Sequence, residues 1–227
     1  MRVEHCVYAA RALRDFGDGL IAVVLPAYLL SLGLSAFQVG VVATLALLGS
    51  ALLTLAAGLA VRWSHRQLLL GACTLMSATG IAYSMAGDYA LLLVVAFVGT
   101  INPSAGGTSV FVPLEHAVLS GAVDARRRTH AFARYSLLGA LAGACGALAA
   151  GAPDWLAAAG WTERAAFQAL FLGYAGLGIA GALLYRKLPR LQDAQVRPPA
   201  PLGPSKRTVY RLAALFSVDS FAGGLVV

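Results

Sequence analysis

Charged residues are scarce in this sequence: they make up 12% of its 227 residues, whereas a soluble domain carries about 25%. Hydrophobic residues make up 59% of the chain, and its mean hydropathy is +0.75. This composition excludes an ordinary soluble domain and indicates a protein that folds in lipid. The net charge of +7 does not indicate a nucleic-acid partner, because the basic residues lie between apolar runs and form no single basic face.

Clustered cysteines and enzyme signatures are also lacking. Cys6, Cys73 and Cys145 are far apart and form neither a C-x-x-C pair nor a Cys/His ligand spacing. The sequence contains no H-E-x-x-H, no G-x-S-x-G and no phosphate-binding Gly-Lys-Ser loop. We therefore expect no enzyme activity, no metal site and no cofactor.

Long apolar runs dominate what is present. A membrane-spanning helix needs about 20 apolar residues, and six runs reach that length while a seventh begins near the end of the sequence. The expected fold is an all-α, polytopic membrane helix bundle with six complete transmembrane helices and a truncated seventh. The runs are Phe16–Leu34, Phe37–Val61, Leu68–Ala86, Tyr89–Phe111, Ala131–Gly151, Ala165–Tyr185 and Leu212–Val227.

The basic residues predict the orientation of these helices. Every lysine and arginine except Arg164 lies in the N-terminal tail or in the second, fourth or sixth connection. Because cytoplasmic loops are enriched in these residues, we expect the N-terminus and these connections to be cytoplasmic. The lipid bilayer of the inner (plasma) membrane is the expected location.

The organisation into domains follows from the sixth connection. Residues 192–211 contain four prolines and scattered charge, which is typical of an extended linker. We predict a six-helix bundle over 1–191, a cytoplasmic linker over 192–211 and the start of a second half over 212–227. A shift of 205 residues aligns Phe16, Gly19 and Leu20 with Phe221, Gly224 and Leu225, as expected for parallel repeats. The sequence is therefore expected to be an incomplete product that does not transport by itself.

Two acids in apolar runs are candidate functional residues. Asp18 lies just inside the first run, where a carboxylate either lines a cavity or proton pathway or stays at the interface, paired with Arg14 one turn earlier. Asp219 lies in the seventh run and is a candidate for the substrate pathway.

The fourth run is expected to break at Asn102–Gly107, because Pro103 and the two glycines that follow weaken a helix. Broken helices at membrane depth commonly line cavities, so Asn102 is a candidate to bind a solute. Glu115 is expected to form a gating or structural ion pair with Arg134, or alternatively to couple transport to protons. His116 is expected at the interface.

Small residues recur at intervals of four on two helices and predict close helix packing. A bulky substitution at Gly143 is expected to disrupt folding. The two stripes consist of Ser50, Thr54 and Gly58 on the second helix and Gly139, Gly143, Ala147 and Gly151 on the fifth.

These features resemble the major facilitator superfamily. The likeness rests on six helices with a cytoplasmic N-terminus, a long basic loop after the sixth, and the stretch Arg128–Tyr135, which is similar to the junction of helices four and five in efflux-type members. In the loop after the second helix, Gly58 and Arg66 match the family pattern and Arg62 stands at the position of its acid. Because Arg62 replaces that acid, the acid's gating role does not carry over, and Arg62 and Arg66 are candidates for gating or an ion pair.

The resemblance implies a secondary active transporter, an exporter of small organic solutes that works by alternating access. Its expected partners are the small-molecule substrate and a second bundle, which is either the missing C-terminal half or a second copy of the chain. The alternative is a membrane-embedded binding or regulatory protein that moves nothing, such as a remnant half-transporter. Flux measured in vesicles would separate the two.

Overall fold

A computed structural model describes residues 2–60, 62–101, 109–189 and 206–224 of the chain, with side chains of the last helix described to residue 218. All regular structure in these residues is helical. The elements are α1 (Val3–Ser31), α2 (Ala36–Leu59), α3 (His65–Met85), α4 (Tyr89–Val98), α5 (Phe111–Ala122), a short 3-10 turn (Ala125–Arg127), α6 (Arg128–Ala149), α7 (Ala152–Ala158), α8 (Glu163–Arg186) and α9 (Lys206–Gly224).

The chain forms two compact units, Met1–Gln192 and Asp193–Val227. In the first unit, α1 packs against α6 and α8, α3 packs against α8, and α2 packs against α4. The second unit contains α9. The core of the first unit is apolar and aromatic: Tyr28 packs edge-on against Phe167 and Phe171, and Phe171 stacks on Tyr83.

Within the described residues, four helical stretches are long and apolar enough to cross a membrane: Ala36–Leu59, His65–Met85, Ala125–Ala158 and Glu163–Arg186. The expected all-helical membrane bundle is therefore confirmed, while the count of six complete spans and a seventh stays a prediction. The first predicted run belongs to a longer helix, α1, whose N-terminal half carries several charged residues. Of the fourth predicted run, Tyr89–Val98 forms α4, and Phe111, its last residue, begins α5.

The break expected at Asn102–Gly107 stays a prediction, because residues 102–108 lie outside the described part of the chain. Helix α4 ends at Val98 and α5 begins at Phe111. Ile101, between them, is buried in the core.

Side-chain caps fix several helix starts. Ser35 and Gln38 form a capping box at α2, and Ser64 and Gln67 form another at α3. In each box the serine oxygen accepts from the backbone N–H of the glutamine, and the glutamine side chain accepts from the backbone N–H of the serine. These boxes fix the starts of α2 and α3, each of which follows a short connection.

Glycine allows α1 and α6 to meet backbone to backbone. A Cβ atom added at Gly19 would collide with the backbone of Gly143, and one added at Gly146 would collide with the backbone of Phe16. Ala147 and Gly151, which the sequence placed on the packing stripe, are exposed instead. An α-helix has 3.6 residues per turn, so Gly143 and Gly146, four and seven residues after Gly139, lie on the same face as Gly139. Ala147 and Gly151, eight and twelve residues after it, turn away from that face.

The contact between α2 and α4 also depends on glycine, although at a position outside the predicted stripe. A Cβ atom at Gly49 would collide with the backbone of Phe97. Its neighbour Ser50 is buried, Thr54 is half-buried, and Gly58 is exposed with open space around it. The close approach of α2 is therefore at Gly49 and Ser50, and it does not extend along the stripe to Gly58.

Candidate functional site

Four charged side chains lie on one face of α1. Arg14, Asp15 and Asp18 follow Arg11 by three, four and seven residues, which places them near Arg11 over the next two turns of the helix. Arg11, Arg14 and Asp15 are buried. This part of α1 is polar in sequence, yet it lies inside the bundle because its charges meet partners there.

The guanidinium groups of Arg11 and Arg14 form ion pairs with nearby carboxylates. Arg11 Nε lies 2.6 Å from Asp15 Oδ2, and Arg14 Nη2 lies 3.1 Å from Asp15 Oδ1. Arg14 Nη1 donates to Glu115 Oε2 at 2.8 Å. Arg14 therefore connects α1 to α5, and Asp15 is neutralised from two sides.

Glu115 is fully buried. The hydroxyl groups of Tyr135 on α6 and Tyr185 on α8 donate to its two carboxylate oxygens. Arg11 Nη1 in turn lies 3.2 Å from the Tyr135 hydroxyl. Helices α1, α5, α6 and α8 thus meet at one carboxylate, which we call the Glu115 cluster (Arg14, Glu115, Tyr135 and Tyr185).

The predicted pair of Glu115 with Arg134 is wrong, because Arg14 is the partner. Arg134 is exposed. Successive residues of a helix point about 100° apart, so Tyr135 faces the core from α6 while Arg134 faces outward. His116 packs edge-on against Phe132 and Tyr135.

Asp18 is less tightly held than the other two acids. Tyr174 on α8 donates to its Oδ1 at 3.3 Å, and Arg14 Nε lies 3.9 Å from its Oδ2. Its side chain is 15% exposed. Asp18 is therefore partly buried and faces Arg14 one turn earlier; whether it acts in a proton pathway or lies at the interface without such a role stays a prediction.

A cavity of about 470 Å³ lies between α1 and α6 beside these charges. Arg11, Asp15 and Asp18 form its charged wall. The α6 side of the cavity is formed by glycine, alanine and serine, whose small side chains leave this space open. These α6 residues are Ser136, Gly139, Ala140, Gly143, Ala144 and Ala147.

The remaining predicted residues lie elsewhere. Arg62 is exposed in the connection between α2 and α3. Arg66 donates to the carbonyl oxygens of Tyr185 at 3.3 Å and Arg186 at 2.9 Å, so it caps the C-terminal end of α8. Asn102 and the side chain of Asp219 lie outside the part of the chain that the structure describes.

Three tyrosines of the site were not found from the sequence. Tyr135, Tyr174 and Tyr185 are buried with their hydroxyl groups on carboxylates. Each of these tyrosines lies inside a predicted apolar run. A hydroxyl buried there needs a hydrogen-bond partner, and this requirement could have identified them as site residues. Within the described residues, no group of three His, Cys, Asp or Glu could hold a metal ion.

Comparison with known proteins agrees with this architecture. Residues 7–226 match the model of the Major Facilitator Superfamily. The chain is also 28% identical over 173 residues to an uncharacterized membrane protein of Saccharomyces cerevisiae. The alignment covers 74% of this chain and 39% of that protein, so the chain spans about two fifths of that relative's length.

Proposed function

Because the chain belongs to the Major Facilitator Superfamily, we propose that it works as a secondary active transporter, exporting small organic solutes by alternating access. Members of this superfamily are transporters and not enzymes, which agrees in general terms with the expected lack of catalytic activity. Both the superfamily match and the yeast relative indicate a membrane protein.

One observation carries the proposal: a cavity of small-molecule size lies against charges buried in the bundle. A charged side chain placed at the centre of a membrane helix costs about 2.5–3.5 kcal/mol, and such residues usually mark solute or ion pathways. Ligand cavities typically enclose about 300–1,000 Å³. A purely structural ion cluster would not need an adjoining cavity.

We assign different roles to the two predicted acids. Asp18 borders the cavity and is loosely held, so it is the acid that takes up and releases a proton or contacts the solute. Glu115 is held by three side chains away from the cavity wall, so its role is to fix the helices. Asn102 and Asp219 stay candidates for the solute pathway, and Arg62 and Arg66 for gating at the cytoplasmic side.

Alternating access also needs a second bundle, since transport by rocking requires two bodies around the solute. We infer that residues 1–191 form one bundle and that 192–211 link it to the next, which is a C-terminal half or a second copy of the chain. The boundary between the compact units after Gln192 and the greater length of the yeast relative support this inference.

Replacement of Asp18 tests the transport role. In proteoliposomes holding the complete transporter, Asp18→Asn is expected to reduce solute flux by about tenfold or more while the yield of folded protein changes little. Asp154→Asn is the matched control, because Asp154 is exposed on α7. Unchanged flux of the Asp18 variant at every pH would contradict the role, and binding without flux in the wild type would favour a non-transporting protein.

The proposed orientation places the N-terminus and the 192–211 linker in the cytoplasm of the plasma membrane. A cysteine at Ser205 is expected to stay unlabelled by an impermeant thiol reagent in intact cells and to label after permeabilisation. Cys145, the exposed native cysteine, is first replaced by serine to remove background labelling. Ready labelling of the Ser205→Cys variant in intact cells would overturn the topology.

A further inference from the structure

We propose that the cavity between α1 and α6 takes a small amphiphilic cation, with its positive group on Asp18 and its apolar body on the α6 wall. This inference rests on the proposed transport role, because it assigns the substrate class of the same cavity.

The balance of charge at the cavity favours a cation. Its wall contains two carboxylates, Asp15 and Asp18, and one guanidinium, Arg11. The second guanidinium, Arg14, is directed to Glu115 at 2.8 Å and Asp15 at 3.1 Å. The cavity wall and the adjoining ion pairs together contain two arginines and three acids, so one negative charge has no close counter-charge among them. These side chains are Arg11, Arg14, Asp15, Asp18 and Glu115. A buried carboxylate in that condition takes up a proton or a cation.

Asp18 is the acid that carries this excess. The nearest guanidinium nitrogen, Arg14 Nε, is 3.9 Å away, which is beyond hydrogen-bond distance. That nitrogen is buried and has no hydrogen-bond partner among the described residues. The only hydrogen bond to Asp18 given by the described side chains comes from the neutral hydroxyl of Tyr174. Asp18 therefore keeps most of its capacity to bind a positive group.

The same geometry disfavours an anionic solute. Arg11 is the one basic side chain in the cavity wall, and it is already engaged on two sides. Its Nε lies 2.6 Å from Asp15, and its guanidinium carbon lies 4.6 Å above the centre of the Tyr135 ring. An anion would have to displace Asp15 from Arg11 and would then lie beside two carboxylates.

The α6 wall of the cavity fits the apolar part of the ligand. On α6 it is formed by glycine and alanine, with Ser136 as its single hydroxyl-bearing residue. A body without hydrogen-bonding groups fits this surface, because it leaves few polar atoms unpaired. The combination selects a compact ligand that has one charged end and one apolar end.

Three probes of similar shape and different charge test this inference: benzyltrimethylammonium (positive), neopentylbenzene (neutral) and benzylsulfonate (negative). Binding to the purified chain in detergent is measured by calorimetry, with empty micelles as the blank. The cation is expected to bind about tenfold more tightly than its neutral isostere, with the anion weakest. This comparison in the wild type does not depend on the folding of any variant.

Substitutions show whether the preference for the cation depends on Asp18. Asp18→Asn is expected to abolish the preference for the cation, Asp18→Glu to retain it, and Asp154→Asn to leave it unchanged. Equal binding of cation and anion, absence of binding by all three probes, or an unchanged preference in Asp18→Asn would overturn the inference. Absence of flux with an intact charge preference would refute the transport role alone, and flux without the preference would refute the cation site alone.

Discussion

Replacement of Arg14 by methionine is expected to destabilise the first unit more than any other single change considered. Arg14 is the cation between Glu115 and Asp15 and the nearest one to Asp18. Its loss leaves Glu115 fully buried with no positive partner. Breaking a buried ion pair by removing one member costs about 3–5 kcal/mol. For a chain of this size, we expect the melting temperature in detergent to fall by about 6–20 °C.

The matched control is Arg134→Met, because the sequence pattern favoured Arg134 as the partner of Glu115 and the structure exposes it. We expect a change within about 0.5 kcal/mol, as at other surface positions. The double variant Arg14→Met with Glu115→Gln is expected to regain part of the loss, because it removes both charges together and keeps an acceptor for Tyr135 or Tyr185. A larger loss in Arg134→Met than in Arg14→Met would contradict the Glu115 cluster.

The second large effect is expected at Gly146. An added Cβ there would collide with the backbone of Phe16, and a backbone cannot move aside as a flexible side chain can. Gly146→Ala therefore separates α1 from α6. Overpacking of this kind costs about 1–3 kcal/mol, and it would also displace the charges that α1 carries. The measurement is the melting temperature and the yield of monodisperse protein in detergent.

Gly143 provides the internal comparison, one turn away on the same helix. A Cβ at Gly143 would lie 3.5 Å from the carbonyl oxygen of Asp15, which is ordinary van der Waals distance. Gly143→Ala is therefore expected to be tolerated, and in a helix it gains about 0.5–1 kcal/mol over glycine. The stripe predicts that the bulky substitution Gly143→Leu disrupts folding, which stays a prediction; for an added Cβ alone, the close backbone contact lies at Gly146. Equal effects of the two alanine variants would contradict the close contact.

Local chemistry made part of this molecule predictable. The apolar composition indicated a membrane protein, whereas the break expected at 102–107 lies outside the described residues. Asp18 was singled out because an acid in an apolar run is costly. In each case the signal lies within a few residues of the feature that it predicts.

The partners of the buried charges were not predictable in the same way. Arg14 and Glu115 are 101 residues apart, and the choice of Arg14 over Arg134 depends on which face α6 turns to the core. Tyr174 reaches Asp18 from 156 residues away. Such contacts are set by the packing of helices, and a single sequence without that packing offers several equally plausible partners. The close glycine contacts also lie at positions other than the predicted ones, since a stripe of small residues does not show which helix it packs against.

Flux is the most direct test of the account as a whole. A panel of small organic cations, neutral compounds and anions is offered to proteoliposomes that contain this chain together with its proposed second bundle, with and without a proton gradient. We predict that at least one cation accumulates against its own gradient in the protein-containing vesicles, and that accumulation collapses when the proton gradient is dissipated. Folded protein that moves no member of the panel under either condition would contradict the assignment of this chain as part of a secondary transporter.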